Sequence, residues 1–413
     1  MKKWIILLLA VCFVWTLAGC NNENAEDVTT QPTTVPVTEP VIPEFQVGIS
    51  LPDRTGPWES RAKELTSLLQ KQDCGVDVRY AEGSAQEQAK HLQKLVQDGV
   101  DLLMVASVDA HTLQQELESA AAKGIKVIML DRQVLHAKGV SAAVTFDYVN
   151  LGVAVGYQIA EAKQLESARS EKRSYTIEFL MGSAEDQNAV LLHRGVMAVL
   201  QPYLDTGVLV CKTGRVSMED TYVQGWKADS AQSKFTQYLE SYQDSAPDIV
   251  CTVSDELAAG CIAALEALES PVENWPMITG IGGRQSAIRY IMDGKQGSTI
   301  YQDEGKLQAL CGEIAECLLK ETELPESAVG AELPTYLCPV VQASGLKGVE
   351  GLLDYGLSMR QLGLTEADMD RIEQADVPPE TTEPPMEPTQ PETTVPPETT
   401  SPTQPEPTET KPA

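Results

Sequence analysis

The sequence predicts an α/β protein built as two doubly wound parallel-sheet lobes. Three observations predict it. Short runs that are apolar on both faces recur along the chain, as in Leu102-Leu103-Met104-Val105-Ala106. Amphipathic helical stripes separate these runs. A strand apolar on both faces needs cover on both sides, which is the condition of a parallel sheet with helices above and below. The βα units are also too many for one ordinary open sheet, so two lobes are expected. An eight-stranded barrel satisfies the same periodicity and stays open at this level.

The elements follow in order. Met1-Lys2-Lys3 precedes an apolar run over 4–17, too short to span a bilayer comfortably, and then Leu17-Ala18-Gly19-Cys20. This resembles the bacterial lipobox. It predicts a lipoprotein signal peptide over 1–20, with Cys20 lipidated and the mature chain outside the cell on a membrane surface. Residues 21–44 are rich in Thr, Pro and Glu and bury too little to fold, so a disordered linker is expected. Strand-like runs follow at 46–51, 76–80, 102–106 and 126–130. Ala62, Leu65 and Leu69 mark the first helix. Ser84 and Glu87 have the spacing of a capping box before the stripe Ala85, Ala89, Leu92 and Val96. The helix through Leu113, Leu117 and Ala121 is expected to end with Gly124 as its C′ residue. Further strand-like runs lie at 175–180, 208–211, 248–253, 277–281 and 298–301. Residues 377–413 repeat Pro-Glu-Thr-Thr at 379–382, 391–394 and 397–400 and read as a disordered tail.

Composition excludes several functions. The net charge of −29 is spread along the chain, so nucleic acid is not an expected partner. Once Cys12 leaves with the signal and Cys20 is lipidated, an odd number of cysteines remains: Cys74, Cys211, Cys251, Cys261, Cys311, Cys317 and Cys338. None shows C-x-x-C spacing, and Cys251 and Cys261 fall on apolar stripes, so free core thiols are expected. The four histidines, His91, His111, His136 and His193, are scattered. No metal, nucleophile or phosphate-loop motif accompanies them, so no enzyme, cofactor or metal is expected.

In open α/β sheets, ligands bind beyond the carboxyl ends of strands. That rule selects the loops holding Asp53 to Trp58, Asp131-Arg132, Gly182 to Asn188, Ser254-Asp255, Gly282 to Arg284 and Gln302-Asp303, with Trp226 nearby. Indoles that stack on a ring, beside carboxylate, guanidinium and amide groups that take vicinal hydroxyls, suit a sugar.

The residues from 47 to about 363 resemble the sugar-binding lipoproteins of bacterial ABC importers, the ribose-, galactose- and xylose-binding group, with the xylose-binding pattern nearest. The resemblance is carried by several segments in order. They are 93–101 leading into 102–106, 124–132 ending in Asp131-Arg132, and Thr145-Phe146-Asp147 with Gly152. Gly182-Ser183 with Asp186-Gln187-Asn188-Ala189, Gly225-Trp226, 254–258 and 298–303 follow. It implies two lobes joined by a three-segment hinge, with crossovers near Thr145, Gln302 and Cys338. One lobe would hold 45–144 with 303–338, the other 145–302 with 339–376. Carried over by position, Trp58 and Trp226 would stack on the ring and Asp131 and Arg132 would bind adjacent hydroxyls. Asn188 and Gln302 would add amide hydrogen bonds, and Asp255 would sit at the pocket edge.

The chain departs from the family at Ser254-Asp255, where Asn-Asp is usual, and at Gly280-Ile281-Gly282, where Gly-x-Asp is usual. A different sugar, a larger ligand over Gly282, and no tight ligand are then the open outcomes. The implied function is that of a monomeric solute-binding lipoprotein. It captures a monosaccharide, D-xylose being one candidate, and hands it to a membrane ABC permease. A sensory protein docking to a chemoreceptor or sensor kinase is the alternative.

Overall fold

The computed structural model describes residues 42–243, 245–269, 272–328 and 333–375. Cys20, nearly all of the expected linker and the expected tail lie outside the described residues. The described strands are β1 (Phe45–Leu51), β2 (Cys74–Tyr80), β3 (Leu102–Val105), β4 (Lys126–Leu130), β5 (Ala142–Thr145), β6 (Tyr175–Leu180), β7 (Leu209–Val210), β8 (Ile249–Thr252), β9 (Met277–Ile278), β10 (Ser298–Gln302), β11 (Thr335–Leu337) and β12 (Val340–Ser344). A six-stranded parallel sheet has the order β11-β5-β4-β3-β1-β2, and a four-stranded parallel sheet the order β7-β6-β8-β9. Two open sheets, rather than one closed barrel, carry the two lobes.

Both faces of the first sheet are buried, as the apolar runs require. Leu102 and Met104 face one core with Val47, Ile49 and Leu130. Leu103 and Val105 face the other with Leu95, Leu117 and Val127. Each fully buried side chain of this kind contributes roughly 1.5–3 kcal/mol before chain entropy is counted.

The chain leaves the six-stranded sheet after β5, returns to it after β10, and leaves it again between β11 and β12, three crossings in all. β10 and β12 pair antiparallel, with Gln302 opposite Val340. The run at 298–301 therefore lies outside the four-stranded parallel sheet, contrary to its reading as one more parallel strand. β11 and β12 are short, and Pro339 interrupts them, so neither shows a period in the sequence.

Local chemistry sets the helix ends. Gly124 takes φ +81° one residue past the cap of the helix Gln114–Ala122, as expected of a C′ glycine. Ser84 accepts the Glu87 N–H, but the reciprocal half of the capping box is missing. The Ser84 N–H donates to the Ala81 carbonyl, and Glu87 pairs with Lys90 instead. The helices Tyr148–Ala162 and Gln187–Asp205 meet glycine to glycine at Gly152 and Gly195. A Cβ on Gly195 would lie 2.1 Å from the Val149 carbonyl oxygen. This close approach fixes the first turn of the Tyr148 helix at the first crossing.

All seven cysteines of the described residues are free. Burial pushes the Cys251 thiol up to about 12. The helices Gly345–Asp354 and Glu366–Gln374 pack with Gln285–Met292 in a separate apolar cluster. Arg289 clamps it by a two-pronged pair to Asp368, at 2.9 Å on each oxygen. No described helix is long and apolar enough to cross a membrane.

Candidate functional site

The carboxyl ends of the two parallel sheets open on one cavity of about 690 Å³. The loop after β1 leads into the helix Trp58–Gln70, whose first turn brings Trp58 and Arg61 to it. The loop after β4 brings Asp131 and Arg132. From the second sheet come Asp186 and Asn188 after β6, Ser254 and Glu256 after β8, and Gly282 and Arg284 after β9. Trp226, Gln302, Tyr148 and Glu304 also line it, with Lys227 and Asp229 beside Trp226.

Asp131 is 5 % exposed, and its carboxylate is held from two sides. The Arg61 Nη1 donates to Oδ2 at 2.7 Å, and the Tyr148 hydroxyl donates to Oδ1 at 2.5 Å. Arg61 also grips Glu304 with both prongs, at 2.5 and 2.7 Å. Burial alone would lower the Arg61 pKa, but Glu304 and Asp131 more than reverse it and hold the guanidinium well above its ordinary value. Burial pushes the Tyr148 phenol well up, and the Asp131 charge pushes it further. Tyr148 therefore stays a neutral donor. This cluster ties the first helix to the segments just past the first and second crossings.

Asp131 and Trp226 both have left-handed backbones, with φ +64° and +59°. For non-glycine residues this conformation costs on the order of 1–3 kcal/mol and clusters at binding sites. The Asp131 N–H bond to the Val144 carbonyl, at 2.8 Å, helps hold it.

Arg132 reaches across the cavity. Its Nε lies 2.8 Å from Asp186 Oδ2, which also accepts the Trp226 indole N–H at 3.1 Å. Burial pushes the Asp186 carboxyl up, while Arg132 and the Asn188 N–H pull it back. The Ala110 N–H donates to the Glu185 carbonyl at 3.0 Å, a second link between the sheets beside the ion pair. Gly182 lies under the Trp226 ring, where a Cβ would fall 2.0 Å from ring atoms. On the opposite wall the Trp58 ring sits beneath two guanidinium groups, Arg61 at 4.7 Å and Arg132 at 5.2 Å.

The residues expected at the site are thus mostly brought together: Trp58, Asp131, Arg132, Asn188, Trp226 and Gln302 all line the cavity. Asp255 does not. Its carboxylate, 2 % exposed, turns beneath the Gly282 loop and accepts from Thr299, Gln296 and the Arg284 N–H at 2.7, 3.0 and 3.0 Å. Burial pushes it up and these donors pull it back. It supports the loop and does not edge the pocket. Ser254 caps the helix Asp255–Glu266 by accepting the Glu256 N–H.

Sequence reasoning missed Arg61, Tyr148 and Glu304. A charged residue on an amphipathic helix normally faces water, and nothing local marks Arg61 as 2 % exposed. Asp186 stood in a selected loop but was not assigned a role.

The arrangement offers polar and aromatic groups that can bind a ligand. No described cluster of three or more His, Cys, Asp or Glu side chains is placed to hold a metal. Two features stand ready for a ligand. The Gln302 Nε2 is buried without an acceptor among the described residues. The Arg132 guanidinium pairs through its Nε with Asp186, and its two Nη groups have no acceptor among the described residues.

A family model described as a periplasmic binding protein domain matches residues 47–323. A multiple sugar-binding periplasmic protein of Azospirillum brasilense is 30% identical over 322 residues, covering 75% of this chain and 88% of that one. A D-xylose-binding periplasmic protein of Escherichia coli is 27% identical over 274 residues, covering 66% and 77%. Among solved structures, an ABC transporter solute binding protein from Clostridium phytofermentans with bound β-D-glucose superposes with a TM-score of 0.71. It is 30% identical, and the match covers 77% of this chain and 99% of that one. The chain belongs to the periplasmic binding protein family, and it is a binding protein rather than an enzyme.

Proposed function

We propose that the chain is an extracytoplasmic solute-binding protein that captures a sugar between its two lobes and delivers it to an ABC import permease. The observation that carries the reading is the buried Gln302 amide Nε2, without an acceptor among the described residues, in a cavity lined by two indoles. A buried donor left unmade costs about 1–3 kcal/mol, and a ligand hydroxyl repays it. Trp58 and Trp226 suit the faces of a pyranose ring. Arg132, Asn188 and Gln302 suit its hydroxyls, and Asp131 retains lone pairs beside those taken by Arg61 and Tyr148.

The lobes in this reading are 45–144 with 303–338 and 145–302 with 339–376, and closure is a rotation about the three crossings. Sugar bound by both walls favours the closed form by its differential affinity. The Arg132–Asp186 pair spans the two walls and supports that closure. Cys20 carries the lipid anchor, and residues 21–44 are the tether. Replacement of Cys20 by Ala is expected to move the protein from the membrane fraction to the medium; retention on the membrane would remove the anchor.

A thermal-shift screen of residues 21–413 against pentoses, hexoses, inositols and nucleosides tests the ligand class. At a hundred times Kd, a bound sugar adds about 2.7 kcal/mol of stability, a shift of several degrees. D-xylose and D-glucose are the first candidates. A nucleoside response without any sugar response would overturn the reading.

A further inference from the structure

We infer that the C-terminal helices brace one wall of the cavity and that Tyr355 is a positioning residue for sugar capture. It acts through Tyr301 on the Gly282 loop and through Asp303 on Gln302. The inference rests on the sugar-binding reading above. The family match ends at residue 323, so the helices Gly345–Asp354 and Glu366–Gln374 lie beyond it. Tyr355 directly follows the first of them. This C-terminal segment is seated on the helix Gln285–Met292, which leads away from the cavity wall at Arg284. Gln285 donates to the Arg360 and Gln361 carbonyls at 3.0 Å each, and the Arg289–Asp368 pair clamps the same helix further on.

The Tyr355 ring supports the Gly282 loop. That loop lies along β10: the Gly282 N–H donates to the Ile300 carbonyl at 2.8 Å, and the Gly283 N–H donates to Thr299 Oγ1 at 3.1 Å. Gly283 has φ +69°, and a Cβ there would lie 2.7 Å from the Tyr301 ring. The loop backbone thus rests directly on Tyr301. The Tyr355 ring meets Tyr301 edge to face, with centroids 6.1 Å apart and planes at 62°. Loop, Tyr301 and Tyr355 pack in series, so a gap left at Tyr355 loosens the ring against which Gly283 sits. Gly282, the next residue back, lines the cavity.

The Tyr355 hydroxyl supports Gln302. It donates to Asp303 Oδ2 at 2.8 Å, and Asp303 Oδ1 accepts the Lys306 N–H at 2.9 Å, capping the helix Glu304–Leu319. Asp303 is 9 % exposed. A hydrogen bond to a carboxylate is about twice as strong as one between neutral groups. Asp303 stands between two residues of the cavity lining. Gln302 has the buried Nε2 without an acceptor among the described residues, and Glu304 grips Arg61. Groups that contact a ligand keep their placement only where the shell behind them is fixed. Tyr355 fixes Asp303 at the second crossing, and Gln302 and Glu304 with it.

Titration calorimetry and stopped-flow tryptophan fluorescence on residues 21–413 with D-glucose, D-xylose and myo-inositol test this, since Trp58 and Trp226 line the cavity. Tyr355→Phe keeps the ring and removes only the hydroxyl. It is expected to weaken binding about fivefold, chiefly as faster release, with a urea midpoint close to wild type. Tyr355→Ala also removes the neighbour of Tyr301 and is expected to weaken binding about twentyfold. In an Asp303→Ala background the hydroxyl has lost its acceptor, so adding Tyr355→Phe is expected to change Kd by less than about twofold. A merely structural contact would lower the urea midpoint and leave the release rate alone. An unchanged Kd for Tyr355→Phe, or an undiminished loss in the Asp303→Ala background, overturns the inference and leaves the sugar reading intact. No binding of any of the three by the wild type overturns both.

Discussion

Arg132→Ala is expected to weaken sugar binding about a hundredfold or more while the protein stays folded. Hydrogen bonds to a charged group contribute about 1.5–3 kcal/mol each, and in the proposed complex the two Nη groups would make at least two with ring hydroxyls. Losing both costs about 3–6 kcal/mol, a factor on the order of 10² to 10⁴ in Kd. The substitution also removes the cation from the buried Asp186, leaving that carboxylate with the Trp226 and Asn188 N–H groups. The fold survives because Asp131 keeps Arg61 and Tyr148. Arg132→Lys restores charge without the fork and is expected to recover part of the affinity. Titration calorimetry beside circular dichroism decides it, and an unchanged Kd would remove the proposed site.

Arg61→Met is expected to act chiefly on stability. Methionine keeps much of the stem but leaves Asp131 and Glu304 without their cation. Breaking a buried pair from one side costs about 3–5 kcal/mol. The Glu304 side chain is 33% exposed, so the lower end, about 3 kcal/mol, is expected. Urea unfolding followed by tryptophan fluorescence measures it. Affinity should fall too, because Asp131 loses the partner that orients it. A midpoint equal to wild type would show that the cluster around Arg61 is not what joins the first helix to the crossings.

These two arginines show what the sequence made legible and what it did not. Arg132 follows Asp131 directly at the end of an apolar strand, so the rule for open sheets pointed to it. The same rule placed Trp58 and Asn188 at the cavity, because a βα alternation fixes which end of the sheet its loops occupy. Arg61 lies one helical turn beyond Trp58, on a stripe that local pattern reads only as amphipathic. Its burial depends on Asp131 and Glu304, which are 70 and 243 residues away. No window of sequence contains that cluster. Asp255 erred in the opposite direction. Its position after β8 suited a ligand, but Thr299 and Gln296 come from the distant segment around β10 and turn its carboxylate inward. The strands β11 and β12 escaped notice because a run of three to five residues interrupted by proline has no measurable period.

The same division explains the site as a whole. Residues that line the cavity were visible because loops at strand ends expose them in order. The buried supports beneath them were not, since each joins segments far apart in the chain. Gly182 is an example. Its position reads as an ordinary loop glycine until the Trp226 ring is found against it.

A crystal structure of residues 21–413 grown with D-glucose tests the central claim most directly. A pyranose ring between Trp58 and Trp226, with hydroxyls on Arg132, Asp131 and the Gln302 amide, is the predicted result. Sugar bound elsewhere on the chain, or a cleft closed with Gln302 Nε2 bonded to protein and no ring between the indoles, would contradict it.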